Sequence, residues 1–240
     1  MVEKKLLSIG EAAETIGVSI QTLRRWDANG HFRAAVRTPG GHRLYTVTQI
    51  GLFFHDLAKL GFDWAQNNVE IPSRMYCERS PIFQARLEKF KNQLFDKADL
   101  QEMAPLIVAV CGEVGDNSFV HNIGNWPDIP GIYFAYDIER RVVVLADRGR
   151  GVLATLRPVK PELATHAEAL RVAFTEIISG RAPEERGNGL KFVRNIASKY
   201  PLGILFQSGN AKVELDRQHP EVLVEQAAVS LRGCIAVIKF

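Results

Sequence analysis

The chain has 240 residues, 46% hydrophobic and 24% charged, with a formal net charge of +3. Disordered chains need low hydrophobicity and a large net charge, so this composition excludes them and leaves room for one large domain or two smaller ones. The longest unbroken apolar run, around Leu106–Cys111, is about a third of the ~20 residues that a membrane-spanning helix needs, so no integral membrane protein is expected. The N-terminal stretch carries charges but no apolar core or cleavage site, so no secretory signal is read and a cytoplasmic location is expected. Cys77, Cys111 and Cys234 are far apart and form no CxxC pair, which argues against a disulfide framework and a cysteine-based zinc site.

The first segment in chain order, residues 6–70, predicts a small helical module with a hairpin. Ser8 precedes an apolar-periodic run with Glu11 three residues on, a capping-box pattern for a helix that carries Ile9, Ala12, Ala13 and Ile16 inward. Gly17 stops that helix, and Ser19 caps a second, IQTLRRWDAN. Helix, short glycine turn, helix is the helix-turn-helix pattern. HFRAAVRTPGGHRLYT follows, with Pro39-Gly40-Gly41 turning between two extended runs to make a wing. One further helix, VTQIGLFFHDLAKLG, closes the module. Arg24, Arg25, Arg33, Arg37 and Arg43 crowd residues 20–45 against a single acid, Asp27. Arginine suits a duplex, because its planar fork pairs bidentately with phosphate or guanine.

SIGEAAETIGVSIQTLRRWDANG followed by RTPGGHRLY resembles the winged DNA-binding domain of the MerR and excisionase-like families. The resemblance implies DNA contacts from Arg24 and Arg25 on the helix, and from Arg37, His42, Arg43 and Tyr45 on the wing. It also implies double-stranded DNA as a partner, bound by a homodimer on inverted repeats or by arrays on direct repeats. Trp26 reads as a core anchor. His55 in FFHDLAK superficially matches a histidine-kinase phosphoacceptor box, but no proline follows and the MerR-like helix accounts for it.

Residues 71–99 read as a linker and a helix. Phe83, Leu87, Phe90 and Leu94 repeat at heptad spacing over two heptads, which suits either a helix packed on its own domain or a dimer seam. From about residue 100 the pattern becomes α/β. MAPLIVAVCGEVGDNSFVHNIG is helical, GIYFAYDIERRVVVLADRG reads as a hairpin, and ELATHAEALRVAFTEIISG and GLKFVRNIASKY are helical. LGILFQSGNAKVEL reads as a second hairpin turning at Ser208-Gly209-Asn210, and CIAVIKF is a closing strand.

Three segments of this half carry chemistry. Glu113, Asn117 and His121 stand at i, i+4 and i+8, one face of a helix. A carboxylate and an amide oxygen one turn apart suit a hard cation such as Mg²⁺. VVVLADRGRG delivers Asp147 at a strand end, with Gly149 and Gly151 allowing close approach. Gly187 and Gly189 open a helix whose N-terminus can cradle phosphate.

The order of these three segments resembles the GHKL ATPase superfamily, with EVGDNSFVH as its N box and DRGRG and RGNGL as its two glycine boxes. The resemblance covers residues 100–240 and implies a Bergerat-type two-layer sandwich of helices on a mixed sheet, giving an α+β protein overall. It implies ATP and Mg²⁺ as cofactors, with Asn117 holding the metal and Asp147 accepting the adenine amino group. Gly149, Gly151, Gly187, Gly189 and Leu190 would line the nucleotide, and Glu113 would be the catalytic base or metal-region ligand. Residues 152–186 would form a lid, with Arg181 and Arg186 as phosphate contacts. The basic residue often found three after the N-box Asn is Val120 here, and the second glycine box reads Gly189-Leu190-Lys191-Phe192, without its later glycine. Nucleotide binding is therefore better supported than turnover. The functional expectation is a DNA-binding transcriptional regulator whose ATP-binding domain modulates DNA or partner binding. The alternatives are an ATP-dependent protein kinase of the anti-sigma type acting on a partner protein, or a component of a mobile element or of phage defence.

Overall fold

A computed structural model of the chain describes residues 6–67, 69–176 and 189–240. Arg181, Arg186 and Gly187 lie outside the described residues. Strand β1 (Leu6–Ser8) leads into helices α1 (Ile9–Ile16) and α2 (Ile20–Ala28). Ser8 accepts the Glu11 amide while the Glu11 carboxylate accepts the Ser8 amide, so the expected capping box is formed. Ser19 accepts from the Thr22 amide at 3.0 Å and starts α2. Gly17, at φ +84°, closes α1 in the left-handed conformation that glycine reaches without a Cβ penalty. The wing is β2 (Val36–Arg37) against β3 (Arg43–Thr46), with β1 added on the other side of β3. Trp26, Leu23, Ile16 and Tyr45 are buried together beneath it.

The single helix expected over VTQIGLFFHDLAKLG is two: α3 (Val47–His55) and α4 (Leu57–Asn67). The break is at Asp56, whose carboxylate accepts the Lys59 amide at 2.8 Å and so caps α4. Aspartate competes for backbone donors in just this way, which favours helix starts over helix interiors.

The remaining chain builds one five-stranded sheet in the order β4 (Tyr76–Cys77), β5 (Ile132–Asp137), β6 (Val142–Asp147), β8 (Val224–Lys239), β7 (Gly203–Leu215). Every pairing in it is antiparallel, where a mixed sheet was expected. LGILFQSGNAKVEL is likewise not a hairpin. It is the single strand β7, which absorbs Ser208-Gly209 as an irregularity and pairs along β8. Gly209, at φ +59°, takes the bulge conformation rather than a reversal.

Helices α5 (Ser80–Phe95), α6 (Ala104–Asn122), α8 (His166–Thr175) and α9 (Gly189–Lys199) contribute to the main core on one face of this sheet, and the short α7 (Gly151–Leu156) packs beside α8. The heptad-spaced Phe83, Leu87, Phe90 and Leu94 of α5 are all buried in this core. The stripe therefore packs α5 on its own domain, and it is not exposed to form a dimer seam.

The opposite face of the sheet is covered by α4. Leu57, Leu60 and Trp64 pack on Tyr133, Val144 and Ile235, and the Tyr133 hydroxyl donates to the Leu57 carbonyl at 3.0 Å. A Cβ on Gly61 would stand 2.9 Å from the Tyr133 ring, so glycine lets this helix lie close on the strands. α4, the second helix after the wing, is thus part of the sheet domain's packing, while Ile50 of α3 stays in the winged core. No helix among the described residues is long and apolar enough to cross a membrane.

Candidate functional site

The winged module organises its cations around one acid. Asp27, near the C-terminal end of α2, is almost fully buried. Its carboxylate accepts the Ala34 amide at 2.9 Å and pairs with both Arg37 and Arg43 of the wing. Burial pushes the Asp27 carboxyl up, but the Ala34 amide, the Arg43 hydrogen bond and the two guanidinium charges outweigh it and hold it below its ordinary value. Asp27 was visible in the sequence as the lone acid among five arginines, yet its task of fixing the wing to the helix was missed. The wing turn itself is closed by Thr38, whose amide donates to the His42 carbonyl at 3.0 Å and whose hydroxyl accepts the His42 amide at 3.1 Å.

Arg24, Arg25, Arg37 and His42 are exposed on the helix and wing, while Arg43 is half-buried. Arg25 pairs with Glu70 at 2.8 Å, and Thr22 of the same helix donates to Glu70 as well. The Thr22 hydroxyl and then Arg25 hold the Glu70 carboxyl below its ordinary range. Tyr45 corrects the expectation of a DNA contact. It is fully buried, with its ring stacked on Phe32 at 5.5 Å, so it serves the module's core. Trp26 is buried as expected.

The second site lies at the end of β6. Along this strand Val143 and Leu145 face the helical layer while Val144 and Ala146 face α4, so Asp147 points toward the helices. Its carboxylate accepts from the Ser118 hydroxyl of α6 at 2.8 Å and from the Gly149 amide at 2.8 Å. Burial pushes its carboxyl up; the hydrogen bonds from Ser118, Gly149 and the Cys234 backbone pull the other way without prevailing. An ionised carboxylate offers about four acceptor positions, so these three donors do not use them all.

The glycines around Asp147 fit their neighbours closely. A Cβ on Gly149 would strike the Asn122 amide, and one on Gly151, at φ +76°, would come within 2.9 Å of the Ser208 hydroxyl. A Cβ on Gly233, also at φ +76°, would come within 2.6 Å of the Asp147 carboxylate. Asn122 accepts the Arg150 amide at 2.9 Å, and Ser208 accepts the Val152 amide at 2.9 Å, so both side chains pin the loop after β6. Ser118, Asn122, Ser208 and Gly233 were not singled out from the sequence. Ser118 and Asn122 sit inside the EVGDNSFVHN segment, one helical turn apart, and that spacing was the available signal.

One turn earlier on α6, Glu113 and Asn117 meet the start of α9. A Cβ on Gly189 would stand 2.6 Å from the Glu113 carboxylate and 3.1 Å from the Asn117 amide nitrogen. The fold therefore brings Glu113, Asn117 and Gly189 together, beside a helix N-terminus of the kind that attracts anions. Burial, then the nearby Asp116 charge, pushes the Glu113 carboxyl up. Leu190 is partly buried against the main core. A carboxylate and an amide oxygen one helical turn apart are a donor set that suits a hard cation such as Mg²⁺.

Residues 8–45 match the family model of the MerR family regulatory proteins. Nodulation protein NolA of Bradyrhizobium elkanii is 28% identical over 100 residues, which take in 37% of this chain and 45% of that protein. The chain thus spans under half of this relative's length. Among solved structures, the ATP-binding domain of Francisella tularensis topoisomerase IV is 15% identical with a TM-score of 0.36, over 55% of this chain and 35% of that one. The 43K ATPase domain of Thermus thermophilus gyrase B is 13% identical with a TM-score of 0.34, over 54% and 32%. A MerR family transcriptional regulator from Bacillus cereus is 19% identical with a TM-score of 0.21, over 47% and 83%. The N-terminal helix-turn-helix is a MerR-family one. The two ATPase domains are structural neighbours at TM-scores below those of a shared fold.

Proposed function

We propose that the chain is a DNA-binding regulator whose sheet domain binds Mg-ATP, and that the nucleotide changes its affinity for DNA or for a partner protein. The DNA half of this reading rests on the MerR-family match over residues 8–45 and on a wing whose arginines are anchored to the recognition helix. The nucleotide half rests on one observation above all. Asp147 is a buried carboxylate with an acceptor position to spare, at the end of a strand, in a DxGxG loop pinned by Asn122 and Ser208. A carboxylate held this way accepts an exocyclic amino group and rejects a carbonyl, which selects adenine over guanine. Asn117 and Glu113, which pack closely on Gly189, would hold the metal region, and the N-terminus of α9 would meet the phosphates. Bound Mg²⁺ would supply charge neutralisation at the phosphates.

Fluorescence anisotropy with a duplex selected from a random pool by the full chain tests the reading. Mg-ATP should shift the apparent Kd, and Asn117→Ala should abolish that shift while leaving basal DNA affinity unchanged. Equal loss of DNA binding with and without nucleotide in Asn117→Ala would contradict it. A homodimer on an inverted repeat is part of the proposal, checked by the stoichiometry of the same complex.

A second reading is favoured by Glu113. A carboxyl raised by burial beside Asn117 suits a general base, and with it an ATP-dependent protein kinase acting on a small partner. Transfer of labelled γ-phosphate to a co-expressed partner, lost in Glu113→Gln, would support that reading over the binding-only regulator.

A further inference from the structure

The residue after Asp147 leaves the sheet on the other side. Side chains alternate along β6, so Asp147 faces Ser118 and the helical layer, and Arg148 faces α4. Arg148 is buried at 6% exposure, its guanidinium lies 5.7 Å from the centre of the Trp64 ring of α4, and it pairs with Asp128 in the loop after α6. Asp128 also pairs with Arg232 of β8 at 3.4 Å. A buried guanidinium against an indole face and a carboxylate makes a directional contact, since both the cation–π geometry and the paired donors are lost on a small displacement.

α4 in turn leads to the recognition helix. A few residues beyond its end, Glu70 holds both Thr22 and Arg25 of α2. Nearer its middle, Asp63 faces His31 of the winged module at 3.8 Å. Between these contacts lies a cavity of about 730 Å³ whose walls include Val18, Thr22, Trp64, Glu70, Asp128 and Arg148. The wall on the DNA side is the α1–α2 turn, the wall on the sheet side is the DxGxG loop, and α4 runs between them. The cavity leaves the Glu70 side chain room to re-orient while α4 stays packed on the strands, whereas a close-packed junction would resist.

We propose that Arg148 is the coupling residue of the molecule: it carries the state of the Asp147 site across the sheet to Trp64 and α4, and through Glu70 to Arg25 of the recognition helix. Arg148 acts by position and touches neither nucleotide nor DNA. Filling the acceptor position on Asp147 constrains the loop after β6 from the helical side, and the same loop fixes where the Arg148 guanidinium meets Trp64. The Glu70–Arg25 pair is the output, because a recognition-helix arginine held by a carboxylate is withheld from phosphate. The inference rests on the proposed Mg-ATP site, and its test separates the two.

The test measures, in the full chain, the Mg-ATP Kd by calorimetry and the DNA Kd by anisotropy with and without Mg-ATP. In the unaltered protein the ratio of the two DNA Kd values should be on the order of tenfold, within the usual range of coupling between sites. Arg148→Met should leave the Mg-ATP Kd and the nucleotide-free DNA Kd within about threefold, and reduce the ratio to about one. Asp128→Asn, at a partly exposed loop position, should do the same and covers the case in which Arg148→Met fails to fold. Arg148→Lys, which keeps the charge over Trp64, should restore part of the ratio. A ratio unchanged in both Arg148→Met and Asp128→Asn overturns the relay, and so does loss of Mg-ATP binding in Arg148→Met, which would make the arginine part of the pocket. Mg-ATP binding with no effect on DNA in the unaltered protein overturns the relay and leaves the nucleotide site standing. Absence of Mg-ATP binding overturns both.

Discussion

The winged module and the sheet domain each bury one aspartate, and the two are treated in opposite ways. Asp27 is surrounded by the Ala34 amide and two guanidinium groups, and its carboxyl is held down. Asp147 is surrounded by a hydroxyl and backbone amides, and burial prevails to push its carboxyl up. The first arrangement consumes the charge locally and fixes two strands of the wing to a helix. The second leaves a buried carboxylate without a counter-charge, held only by neutral donors, which is the arrangement the proposed nucleotide site uses. Burial of an acid is therefore no guide to its role; the charges of its partners are.

The comparison is broken most strongly at Asp27. Asp27→Ala removes a buried acceptor of three donors and should destabilise the winged module by about 2–3 kcal/mol, discounted because Arg37 stays in water. Denaturant unfolding checks this, and a change under about 0.5 kcal/mol would show that the cluster is not an anchor. Next in size is Gly61→Ala on α4. Helix propensity alone would favour alanine by about 1 kcal/mol, but the new methyl would meet the Tyr133 ring, and overpacking costs about 1–3 kcal/mol. Net destabilisation of about 1 kcal/mol is expected from the difference between these terms. A gain in melting temperature would mean that α4 does not lie on the strands as described.

The two aspartates also give opposite signs against pH. The stability due to Asp27 is present above its unfolded value, near the reference of 3.8, and is lost as pH falls through the lower folded value. Asp147 binds its proton more tightly in the folded state. Its burial therefore lowers stability as pH rises from the unfolded value through the folded one, and no further change follows above that. Thermal melts from acid to neutral pH should thus show Asp27→Asn losing most, relative to the unaltered chain, at neutral pH. The relative stability of Asp147→Asn should instead improve as pH rises. Matching signs would contradict the comparison. The smallest effect is expected at Arg24, exposed on α2. Arg24→Ala should lower the slope of log K against log salt for DNA by about 0.9, the value for one phosphate neutralised.

Much of this architecture was legible in the residues. The Ser8–Glu11 capping box, the Pro39-Gly40-Gly41 turn and the hairpin ending in the continuous apolar run VVVLAD each follow from local chemistry, and each is formed. What could not be read was long-range. The break at Asp56 depends on a capping bond that competes with a continuous helix. The strand β7 looked like a hairpin because Ser-Gly-Asn is turn chemistry, and only pairing with the long β8 holds it extended. Tyr45 sits in the wing motif, yet its ring is claimed by Phe32 and the core. At the Asp147 site the sequence marked the carboxylate and glycines. Ser208 and Gly233 come from strands over fifty residues away, and nothing local marked them as partners of Asp147 and its loop.

The central claim is that the carboxylate at the end of β6 receives a nucleotide. Calorimetric titration of the purified full chain with Mg-ATP, beside Mg-GTP and the Asp147→Asn variant, tests it most directly. The account predicts saturable binding of Mg-ATP, with Mg-GTP and Asp147→Asn weakened by at least about a hundredfold, the scale on which sites that hydrogen-bond a polar group reject a partner lacking the match. No heat at millimolar Mg-ATP, or binding that Asp147→Asn leaves unchanged, would contradict it.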